Sequence, residues 1–363
     1  LIHSPIIFKN VPIMKLLRNN ITNCVGKTII VNVTLYSVSK SFVLGIHYTK
    51  LTQSKSFESN DILNAEIHIK CNTENKQDKL SEYGKVCYEN NSTRVTIQID
   101  SSAFLNNSGT GNIVSFNILT ESKLIRELPE WHFQMLNSVI QNNKITSKIT
   151  SLVTKTFIPV NIIKINNFYF VEISKSRIHN NVLEYHAHVI SFCQIKHIVL
   201  SKSMITQNSL NKQQHFIEYY MDYCYATLKS GKLHDCSHKS TMSMQYVTRV
   251  AIFHLIASNN KGGHVLNLCK ILPVRTTNSL YHFNERCLYY KYVNTIVNSN
   301  VSFKANKIPD TGREMFDDNE WDVDHVHGQG IAIRAKYLAI LLNINCIFYK
   351  NDGKHESGAL VLQ

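Results

Sequence analysis

The stretch that decides the reading runs Val250-Ala251-Ile252-Phe253-His254-Leu255-Ile256-Ala257-Ser258-Asn259-Asn260-Lys261-Gly262-Gly263-His264-Val265-Leu266-Asn267-Leu268-Cys269-Lys270. A histidine follows an apolar segment, a short polar loop intervenes, and a second histidine follows paired glycines at the start of another apolar segment. Imidazoles suit general acid and base work because they hold or release a proton near neutral pH. Glycines just before His264 let the backbone turn sharply or let a phosphate approach. RNA cleavage by a 2′-hydroxyl needs one group to take the hydroxyl proton and another to protonate the departing 5′-oxygen. It also needs a cation, here Lys304 or Lys307, to offset charge on the phosphorane. With 17 histidines in the chain, the spacing alone fits two surface or hydrogen-bonded core histidines equally well.

Outward from that stretch, 44% hydrophobic and 18% charged residues over 363 positions describe a globular chain with several cores. The apolar run 331–348 is broken by Arg334, Lys336, Asn343 and Asn345, so no membrane span is expected. An excess of 39 Lys and Arg over 26 Asp and Glu gives a net charge of +13, which favours polyanionic partners and nucleic acid first. The bland source of that charge is AU-rich coding, which overproduces Lys, Asn and Ile. Nine cysteines without a Cys-x-x-Cys pair read as reduced thiols in a cytosolic setting. The start at Leu1, without a secretory signal, reads as a product cut from a precursor.

Residues 27–47 have strand composition, and short strands are expected at 94–99, 112–119, 157–163, 168–173 and 183–192. Polar stretches at 52–61 and 72–85 read as a linker and an exposed loop. Polar residues 201–214 read as a boundary, after which Phe216, Ile217, Tyr220, Met221 and Cys224 recur at helical spacing. No internal repeat and no glycine-rich phosphate loop is read. The expected layout is an N-terminal oligomerisation domain at 1–60, a middle β-rich domain at 61–203 and a catalytic domain at 204–363.

Segment by segment, the last third resembles the uridylate-specific endoribonucleases of coronaviruses and other nidoviruses, the EndoU family. Phe253-His254 matches its first histidine element and Gly262-Gly263-His264 its second. Lys307-Ile308-Pro309-Asp310-Thr311 matches its catalytic lysine and the hydroxyl four positions on, and Asp317-Asp318 follows at the right distance. Residues 331–342 and 345–353 are similar to its final β-hairpin, and Leu362-Gln363 has the form that nidovirus main proteases leave. The resemblance implies an α+β fold, with two β-rich N-terminal domains before an EndoU-type catalytic domain. It implies cleavage 3′ of uridylates to 2′,3′-cyclic phosphate and 5′-hydroxyl ends, with His264 as base, His254 as acid and Lys307 as the cation. Thr311, Tyr349, Ser357 and Gly263 would bind substrate, with Ala359 in place of a base-stacking tyrosine. Stimulation by Mn2+ without a dedicated site, single-stranded or viral RNA as partner, a hexamer, and cytoplasmic, perinuclear viral replication complexes complete the expectation.

Two other readings compete. Cys224 at a helix start would be the nucleophile of an ovarian-tumour-type cysteine protease, with His355 as its base, or simply a buried thiol. A non-catalytic RNA-binding protein would keep the charge without roles for the histidines. Asp322, Asp324, His325 and His327 could hold a metal but read better as an exposed acidic turn.

Overall fold

The computed structural model describes residues 13–23, 25, 29–36, 42–56, 63–70, 94–120, 131–146, 160–184, 187–211, 240–307, 332–352 and 358–362. The regular elements among them are strands, in three sheets of 15, 10 and 5 members whose paired strands run parallel. This corrects the expected α+β fold. The helix anticipated after Gln214 lies outside the described residues. The anticipated final hairpin is a different object: Ile333–Ile344 and Ile347–Tyr349 belong to different sheets, each paired in parallel with the preceding coil.

Parallel neighbours cannot be joined by a tight hairpin, so the chain must travel around between them. Here it does so by visiting the sheets in turn. Arg177–His179, Val182–Glu184 and Ala187–Ser201 lie in the 10-, 5- and 15-stranded sheets, and Met204–Thr206 then pairs with Arg177–His179. The result is a parallel β-solenoid, in which each coil contacts its neighbours above and below. Strands from 1–60, 61–203 and 204–363 share its largest sheet, and the polar run 201–214 supplies two of its short strands.

Corners fall at residues with left-handed φ. Asn137, Lys175, Lys202, His254 and Asn278 (φ 49°, 51°, 48°, 51° and 49°) precede strands of the 10-stranded sheet. Asn142, Asn180, Gln207, Asn259 and Phe283 (φ 55°, 53°, 56°, 54° and 53°) end them. Asparagine tolerates this region better than other residues with a Cβ, which explains its frequency at these positions.

Behind the second set of corners runs a ladder of eight asparagines: Asn107, Asn143, Asn181, Asn208, Asn260, Asn284, Asn306 and Asn351. From Asn143 on, each Oδ1 accepts from the side-chain and backbone N–H groups of the preceding member, and the Asn107 Oδ1 accepts from the Ser54 N–H at 3.0 Å. Asn208, for instance, accepts from Asn181 Nδ2 at 2.9 Å and Asn181 N at 3.1 Å. Its own Nδ2 donates to the Ile178 carbonyl at 3.1 Å and to Asn260 Oδ1 at 2.9 Å. Steps along the ladder are 36, 38, 27, 52, 24, 22 and 45 residues. An internal repeat therefore exists, correcting the reading of none, and its period varies because the segments between ladder positions differ in length.

Inside the coils, register stacks Ile205, Ala257, Tyr281, Phe303 and Phe348 in one column. The rings of Tyr281 and Phe303 lie 5.1 Å apart and 12° from parallel, those of Phe303 and Phe348 5.0 Å and 11°. Ala257 leaves room beside Tyr281. Burial pushes the Tyr281 phenol well above its ordinary pKa, and its hydroxyl meets no hydrogen-bond partner among the described residues.

Two predictions test this packing by equilibrium denaturation. Asn208→Ala strands several buried polar groups at about 1–3 kcal/mol each, so a loss of roughly 3 kcal/mol or more is expected. Tyr281→Phe deletes a buried hydroxyl without a partner and is expected to leave stability unchanged or raise it by about 1 kcal/mol. A near-neutral Asn208→Ala or a strongly destabilising Tyr281→Phe contradicts the ladder or the column.

Candidate polyanion-binding strip

The anticipated catalytic residues are set by the coil geometry. His254 is an exposed corner residue with φ 51°, its backbone N–H bonded to the Thr277 carbonyl at 3.1 Å. His264 opens strand His264–Thr277 and is 5% exposed, its ring 5.3 Å from that of the buried Tyr289. One imidazole stands out on a corner and the other is enclosed. Lys307 follows the ladder residue Asn306, two coils along from Lys261, and its ammonium lies 3.6 Å from the Asp352 carboxylate. Two coil steps are ~10 Å along the axis. Lys304 closes the exposed side of Ser302–Lys304, and Tyr349, 52% exposed, lies beside it in register. Thr311, Ser357, Cys224, Asp322, Asp324, His325 and His327 lie outside the described residues. Ala359 accepts a backbone hydrogen bond from Ile333 at 3.0 Å.

The paired glycines have a structural cause. Gly262 has φ 82°, and a Cβ there would overlap the Leu210 carbonyl oxygen on the neighbouring coil. Its N–H already donates to Glu285 Oε2 at 2.5 Å, so a carboxylate of this chain holds the position read as open to phosphate. Gly263 beside it is buried.

A different constellation emerges where the long strands bend. Asn167, Gln194, Tyr246, Lys270, Tyr292 and Tyr337 are left-handed corner residues (φ 64°, 55°, 55°, 55°, 55° and 58°) on successive coils of the largest sheet. Six coils make a strip ~24 Å long. The Lys270 ammonium donates to the Tyr246 hydroxyl at 2.7 Å and lies 4.6 Å from its ring centre. Tyr292 and Tyr337 stack at 4.6 Å, 5° from parallel, with Lys336 Nζ 5.3 Å from Tyr337. Beside Gln194, Lys196 Nζ lies 4.8 Å over Tyr169, whose ring meets the edge of His197 at 5.3 Å. Burial, then Arg249 and Lys196, hold the His197 imidazole below its ordinary pKa. Such ammonium–ring contacts are worth about 0.5–1 kcal/mol each at exposed sites and fix otherwise mobile lysines.

Sequence reasoning missed this strip, although a signal for it exists. Its steps are 27, 52, 24, 22 and 45 (194 − 167, 246 − 194, 270 − 246, 292 − 270, 337 − 292), identical to the last five steps of the asparagine ladder.

Cysteine chemistry also departs from expectation. Cys193 and Cys269 are disulfide-bonded, whereas Cys287 and Cys346 are free thiols. Burial raises the Cys287 thiol far above its ordinary value, which makes it inert. Among the described residues no group of three or more His, Cys, Asp or Glu side chains could hold a metal, and no helix is long and apolar enough to cross a membrane.

Fold and strip together define a parallel β-solenoid with an aromatic and cationic corner. The chain matches no family model and no curated protein.

Substitutions separate corner geometry from chemistry. His254→Asn suits a left-handed corner and is expected to keep stability within about 0.5 kcal/mol. Gly262→Ala forces a Cβ into the Leu210 backbone and is expected to cost several times that, read as a drop in thermal midpoint. The reverse ranking overturns the structural account of both residues.

Proposed function

We propose that this chain is a non-catalytic binding scaffold that holds an extended polyanion along the corner strip. One observation carries the reading: the ring-anchored ammonium groups of Lys196 and Lys270 stand on alternate coils at the strip. A linear anionic polymer lying parallel to the solenoid axis spans both, two coil steps or ~10 Å apart, whereas a compact ligand meets only one. The net charge of +13 supports the same partner class by attraction and counterion release. RNA cleavage by His254, His264 and Lys307 draws no support from their placement, since an exposed corner imidazole, an enclosed imidazole and a paired lysine two coils away share no described cleft. Binding without chemistry needs none of them.

Linear inorganic polyphosphate tests this, because it offers charge and length without sugars or bases. Its affinity is expected to fall steeply and log-linearly with salt. In the double variant Lys196→Gln/Lys270→Gln the magnitude of that slope is expected to drop by about 1–2, one contact for each lost cation. An unchanged slope in the double variant means that binding lies elsewhere, and no binding at low salt overturns the proposal.

A further inference from the structure

We infer that two copies of this chain pair edge to edge through the second half of strand Ile333–Ile344, as antiparallel neighbours across a two-fold axis. Leu360–Leu362 covers only Ile333, Arg334 and Ala335 of that strand. From Leu338 to Ile344 its outer backbone edge therefore meets no strand among the described residues. The core is open at the same place. Val250, Val274 and Ile296 are fully buried, whereas Leu341, next in their column, is only partly covered, as is Phe348 at the end of the ring column. A solenoid end in this state exposes apolar surface unless a capping element or another chain covers it.

Side chains along the edge indicate which chain covers it. Natural sheet edges are blunted by lysine or proline, yet residues 337–349 contain neither a charged residue nor a proline. Ile340, Leu342, Ile344 and Ile347 stand about half exposed there. The opposite end of the stack differs. Coil-to-coil register carries the Leu342 column through Arg275, Glu172 and Gly45 to Lys15, which is exposed between Ile13 and Leu17 and followed by the exposed Arg18. Head-to-tail stacking of copies would set the Lys15 ammonium into an apolar row. A two-fold axis through Leu342 instead places Ile340 opposite Ile344 of the partner subunit, Leu342 opposite its own counterpart and Leu341 opposite Asn343 of the partner subunit, so that apolar side chains meet on one face. Such a contact is self-complementary and closes at two chains, with no further component required.

A single strand pair buries less than about 1,200 Å2 in total, so the dimer is expected to be weak and concentration dependent. Each copy carries a net charge of +13, and salt screens the repulsion between them, so dimerisation is expected to tighten with salt where polyanion binding weakens. Sedimentation of the full chain over a concentration series, at low and high salt, reads both effects. Leu342→Lys, which gives this edge the residue that its column carries at the other end, is expected to weaken the dimer at least about tenfold without moving the thermal midpoint. Cross-linking reads the geometry, because directly opposed residues of antiparallel strands lie about 4.5–5.5 Å apart, within disulfide reach. In a Cys346→Ser background, Leu342→Cys is expected to form an interchain 342–342 disulfide on mild oxidation, mapped by peptide mass spectrometry. Mixed with Lys15→Cys chains, it is expected to give that bond and not a 15–342 bond. A strict monomer at every concentration and salt, or a predominant 15–342 bond, overturns the symmetric dimer and leaves the polyanion proposal untouched.

Discussion

Amide-to-amide hydrogen bonding between asparagines on successive coils is the constraint on which the rest depends. A buried primary amide has two donors and an acceptor to satisfy, and leaving one unpaired costs about 1–3 kcal/mol. Asn208 meets that demand only if the coils before and after it lie in one register, since its partners are Asn181, Ile178 and Asn260. Once the ladder is aligned, the interior column of Ala257, Tyr281, Phe303 and Phe348 is aligned with it. Outside, the same register sets Tyr246, Lys270, Tyr292 and Tyr337 in a row.

Much of the strand content was legible in the sequence. The alternation in 94–99 and 168–173 comes from strands with one face toward the core, Val95–Asp100 and Phe170–Ser174. Their arrangement was hidden by the variable return path. Five of the eight ladder asparagines have a serine five positions before them, Ser102 and Asn107, Ser138 and Asn143, Ser176 and Asn181, Ser203 and Asn208, and Ser279 and Asn284, whereas Leu255, Val301 and Cys346 stand there before Asn260, Asn306 and Asn351. Between such units the chain inserts segments of unequal length, so a search for a fixed period finds none.

The stretch read as catalytic also has a source in the coil itself. A solenoid coil ends an apolar strand with a left-handed corner, continues through a polar turn and begins another apolar strand, and His254 and His264 occupy the two borders of that cycle. Gly262 is required by the Leu210 carbonyl and by its left-handed φ, requirements that a one-dimensional reading cannot distinguish from a phosphate-binding turn. Charge was the more informative signal. It pointed to polyanionic partners as a class, but not to where on the fold cationic residues would gather, because rows such as Tyr246 and Lys270 form only when distant residues are brought into register.

The register itself is the most direct object of measurement. Gln141 and His179 are aligned on neighbouring parallel strands although they are far apart in sequence. Adjacent strands lie ~4.8 Å apart, within the Cα separation of about 4.4–6.8 Å that a disulfide spans. The double variant Gln141→Cys/His179→Cys, oxidised mildly while folded and mapped by peptide mass spectrometry, should yield an intrachain 141–179 bond in high yield. Absence of that bond in the folded protein, with both introduced thiols reactive toward an alkylating reagent, would contradict the solenoid register and everything built upon it.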